Sequence, residues 1–372
     1  MKITRLKLTM VKPRWMFLEM YTDKDIIGYG EPILEGHAHA VAAVVHELED
    51  YLIGKDPRTI EHHWQAMYRG GFYRGGPVLT SAISGIEQAM WDILGKSLGV
   101  PVYQLLGGAC RSKIRMYAHV GGATAEELVT NARARVGEGF KAIKMTFDAP
   151  IHFMESQDFI EQCVEKFKAV RNAVGKSIDT AIDFHGRFSP ALSKRLIRAL
   201  EPYYPYFIEE PCLPENVDAM ADIARSTTIP IATGERLYTK WGFLKVLEKG
   251  AASILQPDLC HAGGIMECKK IAAMAETYYA SVAPHNPLGP IALAVSLQLD
   301  ACVPNFLMQE QVTFGEGYLK QPFVMEDGYV RVPEDAGFGI ELDEQAIKEK
   351  EYDGWWNTPR VYHNDDGSVA DW

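Results

Sequence analysis

AIDFHGR (181–187), YFIEEP (206–211) and IATGER (231–236) share one sequence pattern, and this pattern decides the fold of the chain. Each is a short apolar run closed by an acidic residue, and these residues, Asp183, Glu209 and Glu235, lie 26 positions apart. A stretch long enough for one helix follows each run. This spacing is typical of consecutive β/α units, which bring the carboxyl ends of their strands to one end of a barrel.

The same rhythm extends in both directions along the chain. Seven strand candidates can be followed by their last polar residues: Lys144, Asp183, Glu209, Glu235, Asp258, His285 and Glu310. With IRMYAHV as the first strand, the pattern predicts a (β/α)8 barrel. Only the step from Lys144 to Asp183 is too long, and we expect residues 147–157 to form a surface excursion beside the site. An open doubly wound sheet is the competing fold, but the chain lacks its glycine-rich phosphate loops.

The length of 372 residues favours more than one domain. Residues 1–111 are predicted to form an α+β capping domain, 112–314 the barrel, and 315–372 a tail that returns to the capping domain. The capping domain is expected to contain the strands ITRLKLTM, WMFLEMYT and IIGYGEP and helices near 36–53, 59–69 and 78–98. In the tail, Asp327-Gly328 between apolar runs predicts a β-hairpin.

Composition excludes several classes of function. The net charge of −11 argues against a nucleic-acid partner. No apolar run is long enough to cross a membrane, and the amino terminus lacks a signal-peptide pattern. The six cysteines contain no CxxC pair, so we interpret them as reduced thiols of a cytoplasmic protein.

The three acids predict a metal site. Carboxylate oxygens suit a hard divalent cation, most simply Mg²⁺, with Mn²⁺ as an alternative. Of the neighbours Glu209 and Glu210, the spacing selects Glu209. His185 lies two residues beyond Asp183, so strand alternation would place both side chains on one face. The competing interpretation is that these acids are barrel-end charges paired with Arg or Lys.

His285, after the strand SVAP, is the candidate general base. A hydrogen bond from one ring nitrogen to Asp258 would fix the tautomer and leave the other nitrogen free. A positioned base supplies only about 10²–10⁴ in rate, too little for removing a proton next to a carboxylate, and a bound cation would supply more. His185 could then protonate a leaving hydroxyl group.

With these residues placed, the chain resembles the enolase superfamily in its mandelate-racemase-like branch, and within it most closely the D-galactonate dehydratases. The resemblance covers essentially the whole chain. It is carried by PRWMFLEM, YLIGKDP, MYRGGFYRGGP, AIDFHGR, FIEEP, IATGER, ILQPDLCHAGGI, APHNPLGPIALA, MQEQ and DGSVADW. Pairing a Lys or His base with Mg²⁺ is already a known property of that superfamily.

The resemblance implies dehydration of a small sugar acid by a homo-oligomer. It implies one Mg²⁺ per subunit on Asp183, Glu209 and Glu235, proton abstraction from carbon 2 by His285 with Asp258, and protonation of the 3-hydroxyl by His185. Glu310 would hydrogen-bond a carboxylate oxygen of the enediolate. The candidate substrate contacts are Arg14, Tyr73, Arg74, Lys144, Thr146 and Asn286. Part of a lid is expected at residues 28–39.

Two departures from the family pattern bear on the reaction. Racemases of the branch carry a second Lys where this chain has Thr146, and Thr cannot act as that base. The compared dehydratases usually have Asn at this position, and they tend to have Cys in place of Asn286. The alternatives are therefore a dehydratase of another aldonate or aldarate, an epimerase or racemase of the superfamily, and a non-catalytic sugar-acid-binding barrel.

Overall fold

The computed structural model describes residues 1–148 and 150–372. The capping domain begins with an antiparallel sheet of β1 (Ile3–Val11), β2 (Trp15–Thr22) and β3 (Ile27–Gly30) in the order β1-β2-β3. Four helices follow: α1 (Ala38–Leu52), α2 (Ile60–Arg69), α3 (Pro77–Leu98) and α4 (Val102–Leu105). These elements agree closely with the predicted strands and helices.

Strand β3 packs directly against the buried helix α3. A Cβ atom on Gly30 would collide with the carbonyl oxygen of Gly85, so only glycine allows this approach. Glu31, the next residue, is completely buried. The prediction of a lid at residues 28–39 is therefore wrong for the first residues of this range, because they are packed in the interior. Leu34 and Glu35, later in the range, do reach the cavity described below.

The barrel prediction is confirmed. Its elements, in chain order, are β4 (Lys113–Val120), α5 (Ala125–Gly137), β5 (Ala142–Thr146), α6 (Gln157–Val174), β6 (Asp179–Asp183), α7 (Pro190–Leu200), β7 (Ile208–Glu209), α8 (Val217–Arg225), β8 (Ile231–Thr233), α9 (Thr239–Lys249), β9 (Ile254–Leu255), α10 (Ile265–Thr277), β10 (Ser281–Val282), α11 (Pro290–Cys302) and β11 (Gln309–Glu310). Neighbouring strands from β4 to β10 pair in parallel, and β11 pairs with β4. A bridge between Val282 and Phe306 closes the ring.

Strand alternation sorts the barrel residues into two buried clusters. The inner cluster includes Ala181 and Phe207, whereas Ile182 and Ile208 belong to the cluster that packs against the helices. By the same two-residue period, Glu209 shares the inner face with Phe207. The packing therefore explains why Glu209, and not Glu210, points to the barrel axis.

The tail departs from its prediction. Asp327-Gly328 joins β12 (Met325–Glu326) to β13 (Tyr329–Arg331) as a hairpin, but β13 pairs with β4 of the barrel and not with the capping domain. The first residues of β4, 113–115, precede its pairs with β11 and β5 and so offer a free edge.

The tail contacts the capping domain before this hairpin, where the Tyr318 hydroxyl donates to the carbonyl of Lys12 and the Tyr318 ring packs against Trp15. It returns to the capping domain after the hairpin. There the amide of Phe338 donates to Asp92, and the amide of Tyr352 donates to the carbonyl of Met10. Helix α12 (Glu344–Glu349) lies in this stretch, and a last hairpin of β14 (Val361–Tyr362) and β15 (Val369–Ala370) ends at the mouth of the barrel.

Two buried glutamates fasten the capping domain to the barrel. Glu87 of α3 accepts hydrogen bonds from the amides of Ile265 and Met266 at the start of α10. Glu31 accepts from the amides of Gly289 and Ala292 at the start of α11. Both glutamates therefore satisfy helix amides that would otherwise lack partners inside the interface.

Two expectations from the composition concern membrane-spanning segments and cysteines. Within the described residues, no helix is both long and apolar enough to span a bilayer. All six cysteines are free thiols, with Cys110 exposed and the other five buried.

Candidate active site

A cavity of about 510 Å³ opens at the carboxyl ends of the barrel strands. It brings together eight of the predicted site residues: Arg14, Lys144, Thr146, Asp183, His185, Glu235, His285 and Glu310. The capping domain contributes Arg14, Leu34 and Glu35 to the wall, and Trp372 contributes from the tail. The cavity is thus built from all three parts of the chain.

Glu209 lies just below the cavity wall, fully buried. Both of its carboxylate oxygens accept from Lys144 Nζ, at 2.7 and 2.8 Å, and one also accepts from Gln256 Nε2 at 2.6 Å. Burial raises the pKa of Glu209 well above its ordinary value, and the nearby carboxylates of Asp183, Glu310 and Glu235 raise it further against the opposing effect of Lys144. Lys144 is therefore a structural counterion of the acid cluster.

Asp183 ends β6, and His185 follows in a turn. Asp183 Oδ1 accepts from the backbone amide of His185 at 2.6 Å, and His185 has a left-handed φ of 56°. Strand alternation, from which the placement of His185 was predicted, stops at Asp183; the turn is what brings His185 to the cavity. His185 Nδ1 lies 2.7 Å from the carbonyl oxygen of Trp372. Because a carbonyl only accepts, Nδ1 carries the proton, and Nε2 is the other ring nitrogen available for chemistry.

Glu235 reaches the cavity because the chain turns sharply at Gly234. A Cβ atom on Gly234 would lie 2.6 Å from the carbonyl carbon of Gln256 in the next strand segment. Its φ of 156° is one that other residues rarely adopt. Glu235 Oε2 lies 3.2 Å from His285 Nε2. This turn therefore sets one acid beside the candidate base.

His285 donates from Nδ1 to Asp258 Oδ2 at 2.8 Å. Burial lowers the pKa of His285, but the carboxylates of Glu235, Glu310 and Asp258 outweigh it and raise the pKa well above its ordinary value. The second oxygen of Asp258, Oδ1, accepts from the backbone amide of Cys260 at 2.7 Å. Asp258 is thus fixed on both sides, and His285 Nε2 is directed toward Glu235.

Behind this pair lies a charged connection to the capping domain. His261 Nε2 lies 3.8 Å from Asp258 and 3.6 Å from Glu35, and its Nδ1 is 3.0 Å from Ser81 Oγ. Burial raises the pKa of Glu35, but His261 and Arg14 more than compensate and lower it to about 2. The capping domain therefore supports the loop that holds Asp258.

Glu310, at the end of β11, is buried between Lys144 and His119. Its Oε1 lies 2.6 Å from His119 Nε2 and 2.9 Å from Lys144 Nζ. The amide of Asn286 donates to Oε2 at 2.8 Å. Although burial opposes ionisation, Lys144, His285 and His119 hold the pKa of Glu310 well below its usual range.

The donor set fits a hard divalent cation. Asp183, Glu209 and Glu235 come from three neighbouring strands, and the repulsion between them contributes to the raised pKa of Glu209. A cation would relieve that repulsion. Within the described residues, the ligand atoms of these three acids do not all lie within 4.8 Å of one another; Lys144 and His285 are their present partners.

Three predicted substrate contacts lie outside the cavity wall. Tyr73 and Arg74 belong to an exposed glycine-rich loop of the capping domain, where Tyr73 is 88% exposed, and the geometry within this chain does not support their role. Asn286 is buried, and its side chain bonds the carbonyl of Glu310 and the amide of Leu288.

Sequence reasoning gave no individual role to several polar and aromatic residues of the cavity wall, among them His119, Glu35, His261, Trp372, Arg187, Arg236 and Tyr238. The sequence contains a signal for His119, because it is a polar residue near the end of the first barrel strand, IRMYAHV, as the site residues of the other strands are. Glu35 and Trp372 carried no such signal, because they reach the cavity through domain packing and the path of the tail.

Family models match both domains. The model of the mandelate racemase/muconate lactonizing enzyme amino-terminal domain matches residues 4–107, and the enolase carboxyl-terminal domain-like model matches residues 127–346. Two curated proteins with the name D-galactonate dehydratase align over the full length of both chains. The protein from Ralstonia nicotianae is 48% identical to this chain, and that from Pectobacterium atrosepticum is 46% identical.

Solved structures show the same architecture. An enolase from Agrobacterium radiobacter with bound sodium and L-malate superposes with a TM-score of 0.93 at 33% identity, over 100% of both chains. A mandelate racemase/muconate lactonizing enzyme from Jannaschia gives a TM-score of 0.90 at 34% identity, over 97% of this chain and 99% of that chain.

Proposed function

This chain belongs to the mandelate racemase/muconate lactonizing enzyme family of the enolase superfamily, and we propose that it dehydrates D-galactonate to 2-dehydro-3-deoxy-D-galactonate. The observation that carries the proposal is the His285–Asp258 pair beside Glu235, with His185 in the same cavity. The curated relatives with that activity in their name, at 46–48% identity over the full length, support the choice of substrate.

His285 is assigned as the general base. Because Nδ1 donates to Asp258, Nε2 is the nitrogen that takes the proton from carbon 2 of the substrate. Glu235 raises the pKa of His285, and a cation held by Glu235 would offset that effect and favour a free lone pair on Nε2. The electrons of the broken C–H bond move into an enediolate at the substrate carboxylate. Glu310 lies 3.9 Å from Nε2, so its carboxylate is beside the position where the enediolate forms.

His185 is assigned as the general acid. To act as the acid, His185 must be the imidazolium: it keeps its Nδ1 proton on the carbonyl of Trp372 and gives its Nε2 proton to the departing 3-hydroxyl group. Carbon–oxygen cleavage then releases water and leaves an enol, which becomes the 2-keto product after protonation at carbon 3. Base and acid follow different strands, His285 after β10 and His185 after β6, so each can serve one carbon of the substrate.

Asp183, Glu209 and Glu235 are assigned as the ligands of a divalent cation, and we take it to be Mg²⁺ because all three donors are carboxylates. When bound, it offsets the negative charge that develops on the substrate carboxylate as the proton leaves. Lys144 holds Glu209 in place from below. The substrate is an anion, and Arg14 is the side chain assigned to it on the capping side. Arg14 Nη2 lies 3.4 Å from the carbonyl oxygen of Pro287 and 3.8 Å from Glu35.

Thr146 separates this reaction from racemisation. Its hydroxyl donates to the carbonyl of Asp183 at 3.1 Å and accepts from Arg187 Nη2 at 2.9 Å. A threonine engaged in this way supplies no second base on the opposite face of carbon 2. Assembly as a homo-oligomer stays a prediction of the family resemblance.

A panel of aldonates and aldarates tests the substrate and the reaction together. With Mg²⁺ present, D-galactonate is expected to give a semicarbazide-reactive keto acid faster than its epimers do. Turnover of another epimer without turnover of D-galactonate would contradict the substrate assignment. Incubation in D₂O separates the reaction classes, because an epimerase returns deuterated substrate without losing water, whereas a dehydratase yields keto acid.

A further inference from the structure

A second cluster of metal-ligating side chains lies outside the active-site cavity. One ring nitrogen each of His152 and His363 and one carboxylate oxygen of Asp365 all lie within 4.8 Å of one another. His152 lies between β5 and α6, where the excursion was expected, and the other two residues lie in the turn between β14 and β15. Two segments far apart in sequence therefore supply the cluster.

The separation between His152 and Asp365 fits two ligands of a tetrahedral site. His152 Nε2 lies 3.6 Å from Asp365 Oδ2, and the two imidazole rings stack with centroids 3.9 Å apart and planes inclined by 16°. Ligands about 2.0–2.2 Å from a tetrahedral Zn²⁺ are separated from each other by roughly 3.3–3.6 Å. Because a ring nitrogen binds a metal in the plane of its ring, the stacked rings would turn about their Cβ–Cγ bonds to place both nitrogens on one ion.

His363 provides an independent reason to expect a ligand. It is only 8% exposed, and its Nδ1 is buried with no hydrogen-bond partner among the described residues. Buried polar atoms without partners are uncommon and destabilising. The backbone of His363 is fixed by hydrogen bonds with Ser368 and Gly367, so the hairpin holds the position of this residue while its ring can still turn.

We propose that His152, His363 and Asp365 bind a transition-metal dication of the Zn²⁺ type, with the remaining position open to water. Two imidazoles and one carboxylate suit Zn²⁺, whereas Mg²⁺ prefers oxygen ligands and keeps its waters. The chemistry of this site therefore differs from that of the all-carboxylate cluster in the barrel, and the proposal does not depend on the catalysed reaction.

The site would join the excursion to the tail. Beyond the hairpin, the tail ends with Trp372, whose carbonyl meets His185 Nδ1 and whose ring lies 5.7 Å from that of Trp356. Trp356 in turn lies under the guanidinium of Arg14 at 4.7 Å. Bound metal would hold the tail over the mouth of the barrel.

Titration with Co²⁺ in saturating Mg²⁺ tests the site, since tetrahedral Co²⁺ has visible absorption bands and the barrel acids stay occupied. The unaltered chain is expected to bind one Co²⁺ and to release it to Zn²⁺. His363→Ala and Asp365→Asn are each expected to weaken binding more than about 100-fold, because loss of a direct ligand exceeds loss of a supporting contact. His46→Ala is the matched control, since His46 lies on α1 with a side chain 60% exposed, and it is expected to bind normally.

A second readout reports on the tail itself. Zn²⁺ is expected to slow proteolytic cleavage within residues 353–372 of the unaltered chain and of His46→Ala, but not of Asp365→Asn. Asp365 is exposed, so this substitution leaves the fold intact even if His363→Ala does not. Equal Co²⁺ affinity in Asp365→Asn and the unaltered chain, or absence of tetrahedral Co²⁺ bands, would overturn the proposal.

Discussion

The substitution Asp258→Asn is expected to abolish most of the activity without unfolding the chain. Asp258 uses Oδ1 to accept from the Cys260 amide and Oδ2 to accept from His285 Nδ1. In the variant, the Cys260 amide still requires an acceptor, so the amide oxygen of the introduced asparagine turns to it. The NH₂ group then faces His285.

The consequence is that His285 adopts the wrong tautomer. Facing an NH₂ donor, His285 Nδ1 must become the acceptor, so the proton moves to Nε2, which can no longer take a proton from the substrate. Where an aspartate sets the tautomer of a catalytic histidine in this way, replacement by asparagine lowers kcat about 10⁴-fold. This corresponds to about 5 kcal/mol of transition-state stabilisation.

The assay is keto-acid formation from D-galactonate, with kcat and KM determined separately. A thermal melt checks the fold, which is expected to persist because Asn has the size of Asp and keeps the Cys260 contact. Asp222→Asn is the matched control and is expected to act normally, because Asp222 lies on α8 in an exposed ion pair with Lys194. A kcat of Asp258→Asn within about tenfold of the unaltered chain, a difference below about 1.4 kcal/mol, would refute the tautomer mechanism.

Three further predictions concern the buried thiols, the interface between the domains and the turn that carries Glu235. In the native chain, Ellman's reagent is expected to modify the exposed Cys110 quickly and the other five thiols only after denaturation, since burial raises the pKa of Cys163 to about 12; rapid reaction of several thiols would contradict the packing. Glu31→Ala leaves two buried amides without acceptors and should cost about 2–6 kcal/mol in a urea titration, whereas Glu31→Gln, which keeps one acceptor oxygen, should cost less; equal losses would argue against the capping role. Gly234→Ala is expected to reduce metal affinity, measured by Mg²⁺ titration of activity, because its Cβ would displace the turn that carries Glu235, and an unchanged titration would contradict this.

The barrel was predictable because its signal is local and repeated. Each strand of the central set ends in a polar residue at a spacing of 23–27 positions, and one side of the strand must be apolar to face the helices. The choice of Glu209 over Glu210 also came from sequence, by the 26-residue spacing to Asp183 and Glu235, and the inward position of Phe207 two residues earlier agrees with it.

Other features depend on contacts that sequence spacing does not encode. His185 reaches the cavity through a left-handed turn and not by strand alternation. The hairpin β12–β13 pairs with the free edge of β4, which only the staggered pairing of that strand reveals. Glu35 and Trp372 enter the cavity through the docking of the capping domain and the tail. Such long-range placements follow from tertiary packing, so the periodicity of the sequence does not predict them.

The assignment of His285 as the base is tested by the rate of keto-acid formation from D-galactonate by His285→Asn, measured with saturating Mg²⁺. Asn keeps a donor toward Asp258 but cannot accept the proton from carbon 2. We expect kcat to fall about 10²–10⁴-fold, the contribution of a positioned base, with the fold and Mg²⁺ binding retained. A kcat equal to that of the unaltered chain would show that another group removes the proton and would contradict the assignment.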